Sequence, residues 1–361
     1  MEPSGIRAMF ERAAGFKDPC DLSVGQTDFD VPSILREAAK AAIDSGKNRY
    51  TVTGGIPPLR EALAERLRAE GAPAEDVLVV GGGSAALTLA LLALADHTTE
   101  VLVADPYFVS YAPLIRLAGA TPRFIDTYPD FRLTPERLRA AVTPASRILI
   151  VNSPANPTGV ALSAAETAAL AAAARSLGLQ VIADEVYDQF SFDQPHVSWL
   201  KYDPSAVLVR AFTKTWGMAG WRIGFAAGPR EILTAMATLQ QFTFVCAHAP
   251  TQWACYEALR TNLDMSEVVA AYRRKRDYAY EALRGTFELH RPEGAFYLFP
   301  KAPGGAVAPF IDRCLERQLL VVPGGAFSRR QTHFRLSYSV SEETLKRGVD
   351  LLLEIAKRSP E

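Results

Sequence analysis

Between Val77 and Arg210 the chain repeats one pattern: a short aliphatic, mostly β-branched run, then turn residues, then apolar positions at helical spacing. The runs are Val77–Val80, Val101–Ala104, Ile148–Val151, Val181–Ala183 and Val207–Val209, with Ile223–Ala226 a further candidate strand. Each is continuously apolar rather than alternating, as expected of strands covered by helices on both faces. Helices are predicted over Ala85–Ala95, the longest apolar run, and over Ala164–Leu177, where Ser163 as N-cap and Glu166 three residues on form a capping box. Either can serve as the crossover between parallel strands. After about Tyr272 the pattern changes to a charged helix, the segment Glu293–Pro300, and a helix–strand alternation ending in a helix over Glu342–Lys357. That stretch reads as a smaller second domain.

Composition narrows the partners. The 361 residues are 48% hydrophobic and 22% charged with a net charge of −1, enough apolar residues for a large core and no basic excess to favour nucleic acid or an anionic membrane. A small-molecule partner is expected. Cys20, Cys246, Cys255 and Cys314 lie far apart, with no ligand spacing, so neither a metal site nor a disulfide framework is expected and the thiols read as reduced and cytoplasmic. Glu2, Arg7, Glu11 and Arg12 break any apolar run at the start, which argues against a secretory signal, and no stretch approaches membrane-spanning length.

In a sheet of this kind ligands gather beyond the carboxyl ends of the strands. Gly81-Gly82-Gly83-Ser84 follows one strand and opens a helix, where bare N–H groups can hold a phosphate; the same glycines also suit a plain tight turn. GxGxxG and GKS/T patterns are absent, so dinucleotide and nucleoside triphosphate sites lose support. Asp184 directly follows Val181-Ile182-Ala183; it can be a cap or a surface charge, or it can hold a positive heterocyclic nitrogen. Lys214 sits among Phe212, Trp216 and Met218, a partly apolar setting that lowers an ammonium pKa and suits an imine-forming amine, although most lysines are simply solvated.

The segment from Ala211 to Gly224, AFTKTWGMAGWRIG, closely resembles the cofactor-lysine motif of class I/II pyridoxal-phosphate-dependent aminotransferases of the aspartate aminotransferase fold. YTVTGGIPPLRE from Tyr50, Asp105-Pro106-Tyr107-Phe108, NSPANPTG from Asn152, Asp184-Glu185-Val186-Tyr187 and FRLSYS from Phe334 match in the same order. The resemblance implies an α/β fold: a large domain with a mostly parallel sheet sandwiched by helices, plus a smaller α+β domain built from both chain ends. The expected division is an N-terminal segment, 1–30, packing with the small domain, a large cofactor-binding domain, 31–275, and a small C-terminal domain, 276–361.

Carried across by resemblance, Lys214 forms the internal aldimine with pyridoxal 5'-phosphate and then moves the proton between Cα and C4′. Asp184 pairs with the pyridinium nitrogen, Asn156 and Tyr187 hydrogen-bond the phenolic oxygen, and Phe108 stacks on the ring. Gly83, Ser84 and Arg222 hold the phosphate, joined by Tyr50 from the second subunit of a homodimer. Arg335 clamps the substrate α-carboxylate, with Gly25 and Asn156 beside it. Two positions depart from the family pattern: Ala211 stands where a phosphate-binding serine is common, leaving Thr213 as a substitute, and Thr27 stands where proline is common.

The expected activity is exchange of an amino group between an L-amino acid and a 2-oxo acid. The same residues would serve a lyase of the same fold, either a C–S β-lyase or an amino acid decarboxylase, because the cofactor is the electron sink and pocket geometry selects the bond. A non-catalytic ligand-sensing domain is disfavoured, since nothing before Leu22 offers room for a DNA-binding module. Lys214 also sets the chain apart from dehydratases that use free pyridoxamine phosphate.

Overall fold

A computed structural model describes residues 11–357 apart from 14. Glu2 and Arg7, two of the charges that argue against a signal, lie outside the described residues. The strands are β1 (Cys20–Asp21), β2 (Asp76–Val80), β3 (Glu100–Asp105), β4 (Thr121–Asp126), β5 (Ser146–Asn152), β6 (Gln180–Asp184), β7 (Val207–Ala211), β8 (Gly224–Gly228), β9 (Tyr297–Leu298), β10 (Leu319–Leu320), β11 (Val322–Pro323) and β12 (Phe334–Ser337).

Seven of them form the central sheet, in the order β2-β8-β7-β6-β5-β3-β4. All its pairings are parallel except those of β8, which runs antiparallel to both neighbours. The strand expected to begin at Ile223 begins at Gly224, because Arg222 just before it takes a left-handed conformation with φ 51°. Alternate residues of one strand feed different cores: Leu102, Leu149 and Leu208 pack on one face of the sheet, while Val101, Val103, Ile148 and Ile150 pack on the other with Leu87 and Leu91. Each such side chain, when fully buried, contributes about 1.5–3 kcal/mol, which is why the runs are apolar at every position.

The apolar run after the glycines is a helix over Gly83–Leu94, with Ala86, Leu87, Leu89, Ala90 and Leu91 buried. The Ala164–Ser176 helix starts at Ser163 with both halves of the capping box formed. No described helix is long and apolar enough to cross a membrane.

A separate core gathers both ends of the chain. β1 pairs in parallel with β10, and Cys20 and Leu22 pack with Phe310, Phe334, Leu336, Leu345 and Leu352. Tyr187, Phe190 and Tyr272 join the same cluster. The fold is therefore the expected one, a mostly parallel sheet covered by helices with a smaller assembly built from the two ends. From β3 the chain passes to β4 on one side and returns to β5 on the other, so the crevice between β3 and β5 is a topological switch point, where open α/β sheets place their ligands.

Candidate active site

A cavity of about 280 Å³ opens at that crevice, and the loops after the strands supply its walls. Gly83 and Ser84 come from the start of the helix after β2, Phe108 from beyond β3, Asn152 and Asn156 from the end of β5 and its loop, Asp184 and Tyr187 from β6 and its loop, and Thr213 and Lys214 from beyond β7. Arg222 enters from the turn before β8. The smaller assembly adds Tyr297 from β9 and Arg335 from β12, and the N-terminal segment adds Val24, Gly25 and Gln26. Residues that lie more than 300 positions apart in sequence thus line one space.

Three features equip this space for an anionic, heteroaromatic ligand. Among the described residues Arg335 forms no ion pair, although it is 1% exposed; its Nη1 donates to Asn156 Oδ1 at 3.1 Å, its Nη2 donates to the Ser23 carbonyl at 2.7 Å, and its Nε has no partner. Tyr297 and Phe327 enclose the guanidinium, their ring centroids 4.4 and 4.5 Å from it. A buried cation held by neutral groups is ready to receive a carboxylate. Arg222 likewise forms no ion pair among the described residues, and its Nη1 donates to the Ala219 carbonyl at 3.1 Å. Gly82, at φ 92°, admits it closely: a Cβ there would stand 2.9 Å from Arg222 Nη2. The start of the Gly83–Leu94 helix lies beside this guanidinium, and its bare N–H groups can hold a phosphate.

Lys214 and Asp184 line the same cavity as the two arginines. The Lys214 Nζ donates to the Gly25 carbonyl and lies 5.8 Å from the Tyr187 ring centroid. Burial, with the Arg335 and Arg222 charges acting in the same direction, lowers its pKa to about 8. Asp184 is 2% exposed, and burial raises its carboxyl to about 6. Its Oδ2 accepts from Tyr111 Oη at 2.6 Å, which opposes part of that rise. A cation on a ring nitrogen next to this carboxylate would relieve the remaining cost.

Tyr111, Asn152 and Tyr297 belong to the site but were not singled out from sequence. Asn152 Nδ2 donates to the Asp184 carbonyl at 2.9 Å while its Oδ1 accepts from the Asn156 N–H at 2.9 Å, so one side chain ties both loops. Tyr297 Oη and Tyr187 Oη are 2.9 Å apart. Only the motif position of Asn152 could have flagged any of the three. Thr213 is buried on the cavity wall, as is Ala211. Tyr50 stands apart from the cavity and is 83% exposed. A larger open groove, near 1170 Å³, runs beside the Pro57–Ala69 helix. Its arginines Arg66, Arg260 and Arg273 are each paired with a carboxylate, so it offers no comparable unmet charge.

Comparison with known proteins shows the family. The family model for aminotransferase class I and II matches residues 17–352. The probable aspartate aminotransferase of Methanocaldococcus jannaschii is 33% identical, over 98% of this chain and 97% of its own. The aspartate/prephenate aminotransferase of Thermus thermophilus is 37% identical, over 99% and 97%. The solved structure of a double mutant of Thermus thermophilus aspartate aminotransferase superposes with a TM-score of 0.94 at 37% identity, covering 98% of this chain and 97% of that one. These relatives are transferases of amino groups, which disfavours the lyase reading. With the family matched along nearly its whole length, this chain belongs to the class I and II aminotransferases, enzymes that depend on pyridoxal phosphate.

Proposed function

We propose that this aminotransferase uses Lys214 as the amine that bonds its cofactor and then as the carrier of the transferred proton. The observation that carries the reading is the Lys214 amine, without a carboxylate partner among the described residues, lowered to about pKa 8 and lining the same cavity as two unpaired arginines. Bound pyridoxal phosphate supplies an aldehyde that condenses with amines and a ring that takes up the electron pair left on the substrate α-carbon. The residues present suit it: a glycine turn beside Arg222, a buried carboxyl at Asp184 and, at Arg335, a buried guanidinium whose Nε has no partner.

On this reading Gly83, Ser84 and Arg222 hold the phosphate, with Thr213 filling in for the hydroxyl missing at Ala211. Phe108 would lie against the ring, Asp184 would accept from the ring nitrogen, and Asn156 and Tyr187 would donate to the phenolic oxygen. Arg335 grips the substrate α-carboxylate with Asn156 and the Gly25 backbone beside it. Lys214 Nζ would carry the proton between the substrate Cα and the cofactor's C4′. Its lowered pKa keeps much of the amine neutral near pH 8, the form that can accept that proton.

The enzyme works as a homodimer in which Tyr50 of one subunit reaches the phosphate of the other; its high exposure supports that role. It is placed in the cytoplasm, consistent with four free cysteines, three of them buried. Incubating the purified protein with one amino acid at a time tests the activity. A shift of the cofactor absorbance to the amine form, with stoichiometric 2-oxo acid, is expected; release of ammonia without an acceptor would instead identify a lyase.

A further inference from the structure

Tyr297 has no part in the proposed function, yet it touches groups that do. It lies on β9 opposite Ser337 of β12, so Arg335, two residues before Ser337, shares its face of the sheet, and the guanidinium lies 4.4 Å from the ring centroid. Its hydroxyl lies 2.9 Å from Tyr187 Oη, with the two rings edge to face. Room for that hydroxyl exists because residue 25 is glycine: a Cβ there would stand 2.8 Å from Tyr297 Oη, and the Gly25 carbonyl accepts from Lys214. Tyr187 and Tyr297 are 3% and 1% exposed, so their contact is complete within one subunit.

Burial raises both phenols above their ordinary pKa, so each keeps its proton near neutral pH. A phenol has one proton to give. On the proposed function, on which this inference rests, Tyr187 gives its proton to the cofactor's phenolic oxygen. The bond between the two tyrosines must then be donated by Tyr297. We propose that Tyr297 is a positioning residue: its hydroxyl donates to Tyr187 Oη, aims the Tyr187 proton at the cofactor and strengthens that donation. A hydroxyl that accepts one bond donates the next more strongly. Donation to the phenolic oxygen favours its charged form, and that charge is uncovered when the cofactor-bound nitrogen of Lys214 loses its proton. Tyr297 therefore lowers the pH at which this nitrogen titrates in the loaded enzyme.

The test is an absorbance titration of the cofactor-loaded enzyme without substrate. Tyr187→Phe should raise the midpoint of the lysine-bound cofactor by about 1–2 pH units, the loss of a bond to a charged oxygen. Tyr297→Phe, which keeps the ring against Arg335, should raise it by about half a unit, the share that one supporting bond contributes. In the Tyr187→Phe background the second substitution should add nothing, because its effect runs through Tyr187. An unchanged midpoint in Tyr297→Phe, or a shift that persists without the Tyr187 hydroxyl, overturns the role of Tyr297 and leaves the proposed function standing. An unchanged midpoint in Tyr187→Phe overturns the assignment of Tyr187 itself, and that of Tyr297 with it. Neutron diffraction of the unaltered, loaded enzyme decides the same point without a variant: the deuteron between the two oxygens is expected on Tyr297, and one found on Tyr187 overturns the proposal.

Discussion

Burial and two neighbouring arginines make Lys214 a far weaker base than a solvated lysine, at about pKa 8. In the cofactor-free protein its reactivity toward acetic anhydride should therefore rise through pH 8 and level off, whereas surface lysines keep gaining reactivity toward pH 10. Peptide mass spectrometry across that range checks this; a Lys214 profile parallel to the surface lysines would contradict it. Asp184 carries the opposite cost. Its folded pKa of about 6 lies above the roughly 3.9 of an unfolded aspartate, so the native state binds more protons in that window. Stability thus falls as pH rises from about 4 to about 6, and above that the penalty is complete. Asp184→Asn should stabilise the cofactor-free protein at pH 7 by up to about 3 kcal/mol, with the gain vanishing below about pH 4. Urea unfolding at the two pH values measures it, and the same variant should bind the cofactor more weakly. A carboxyl kept at such a cost in the empty protein is one retained for its ligand.

At the scale of elements, the loops beyond the strands hold these groups in register. The turn after β2 depends on Gly82, where a side chain would meet Arg222 in a left-handed backbone conformation. Gly82→Ala should destabilise the protein by about 1–3 kcal/mol and weaken cofactor binding further than that loss alone explains. Comparing unfolding with cofactor titration separates the two effects. Ser163→Ala is the counterpart remote in function: it removes the capping box of the Ala164–Ser176 helix and should cost about 1 kcal/mol of stability while leaving single-turnover rates unchanged. Continuous apolar runs made the interior strands legible, and residues just beyond them, Asp184 and Lys214 among them, were legible as chemistry. β4 was not, because it is an edge strand whose Thr121, Pro122, Arg123 and Phe124 are not fully buried and therefore carry no apolar run. Tyr111 was hidden for a different reason. Its partner Asp184 is 73 residues away, and only the neighbouring positions of β3, β5 and β6 in the sheet bring the two side chains together. Glu185 was quoted only as part of a motif, yet it is buried against Arg210 at 3.0 Å and His196 at 2.9 Å. Burial alone would raise its carboxyl, but these partners outweigh it and hold the pKa at about 2. It braces the loop that carries Asp184 and Tyr187.

For the whole molecule, the described surface leaves several large apolar groups in water that a monomer would not be expected to expose. Tyr50 and Val52 are 83% and 60% exposed, and Phe242 and Phe244 are 85% and 51% exposed. The two stretches lie together, because Gln240 Nε2 donates to the Thr53 carbonyl at 2.8 Å and Gln252 bridges Thr51 to the Ala247 carbonyl. Exposed apolar groups on neighbouring stretches suit an interface, and the proposed homodimer would cover them. Phe242→Asp should then shift the solution mass, read by light scattering, from dimer toward monomer. Because Tyr50 is assigned to the partner's phosphate, loss of the dimer should also loosen the cofactor, and apparent cofactor affinity should fall as the unaltered protein is diluted below its dimer dissociation constant. Tyr50→Phe separates the two roles: the dimer should persist, since the ring remains, while the cofactor dissociates more readily for want of the hydroxyl. A monomeric variant that holds cofactor as tightly as the dimer would show that each subunit completes its own phosphate site, and Tyr50 would then be left as an interface residue alone.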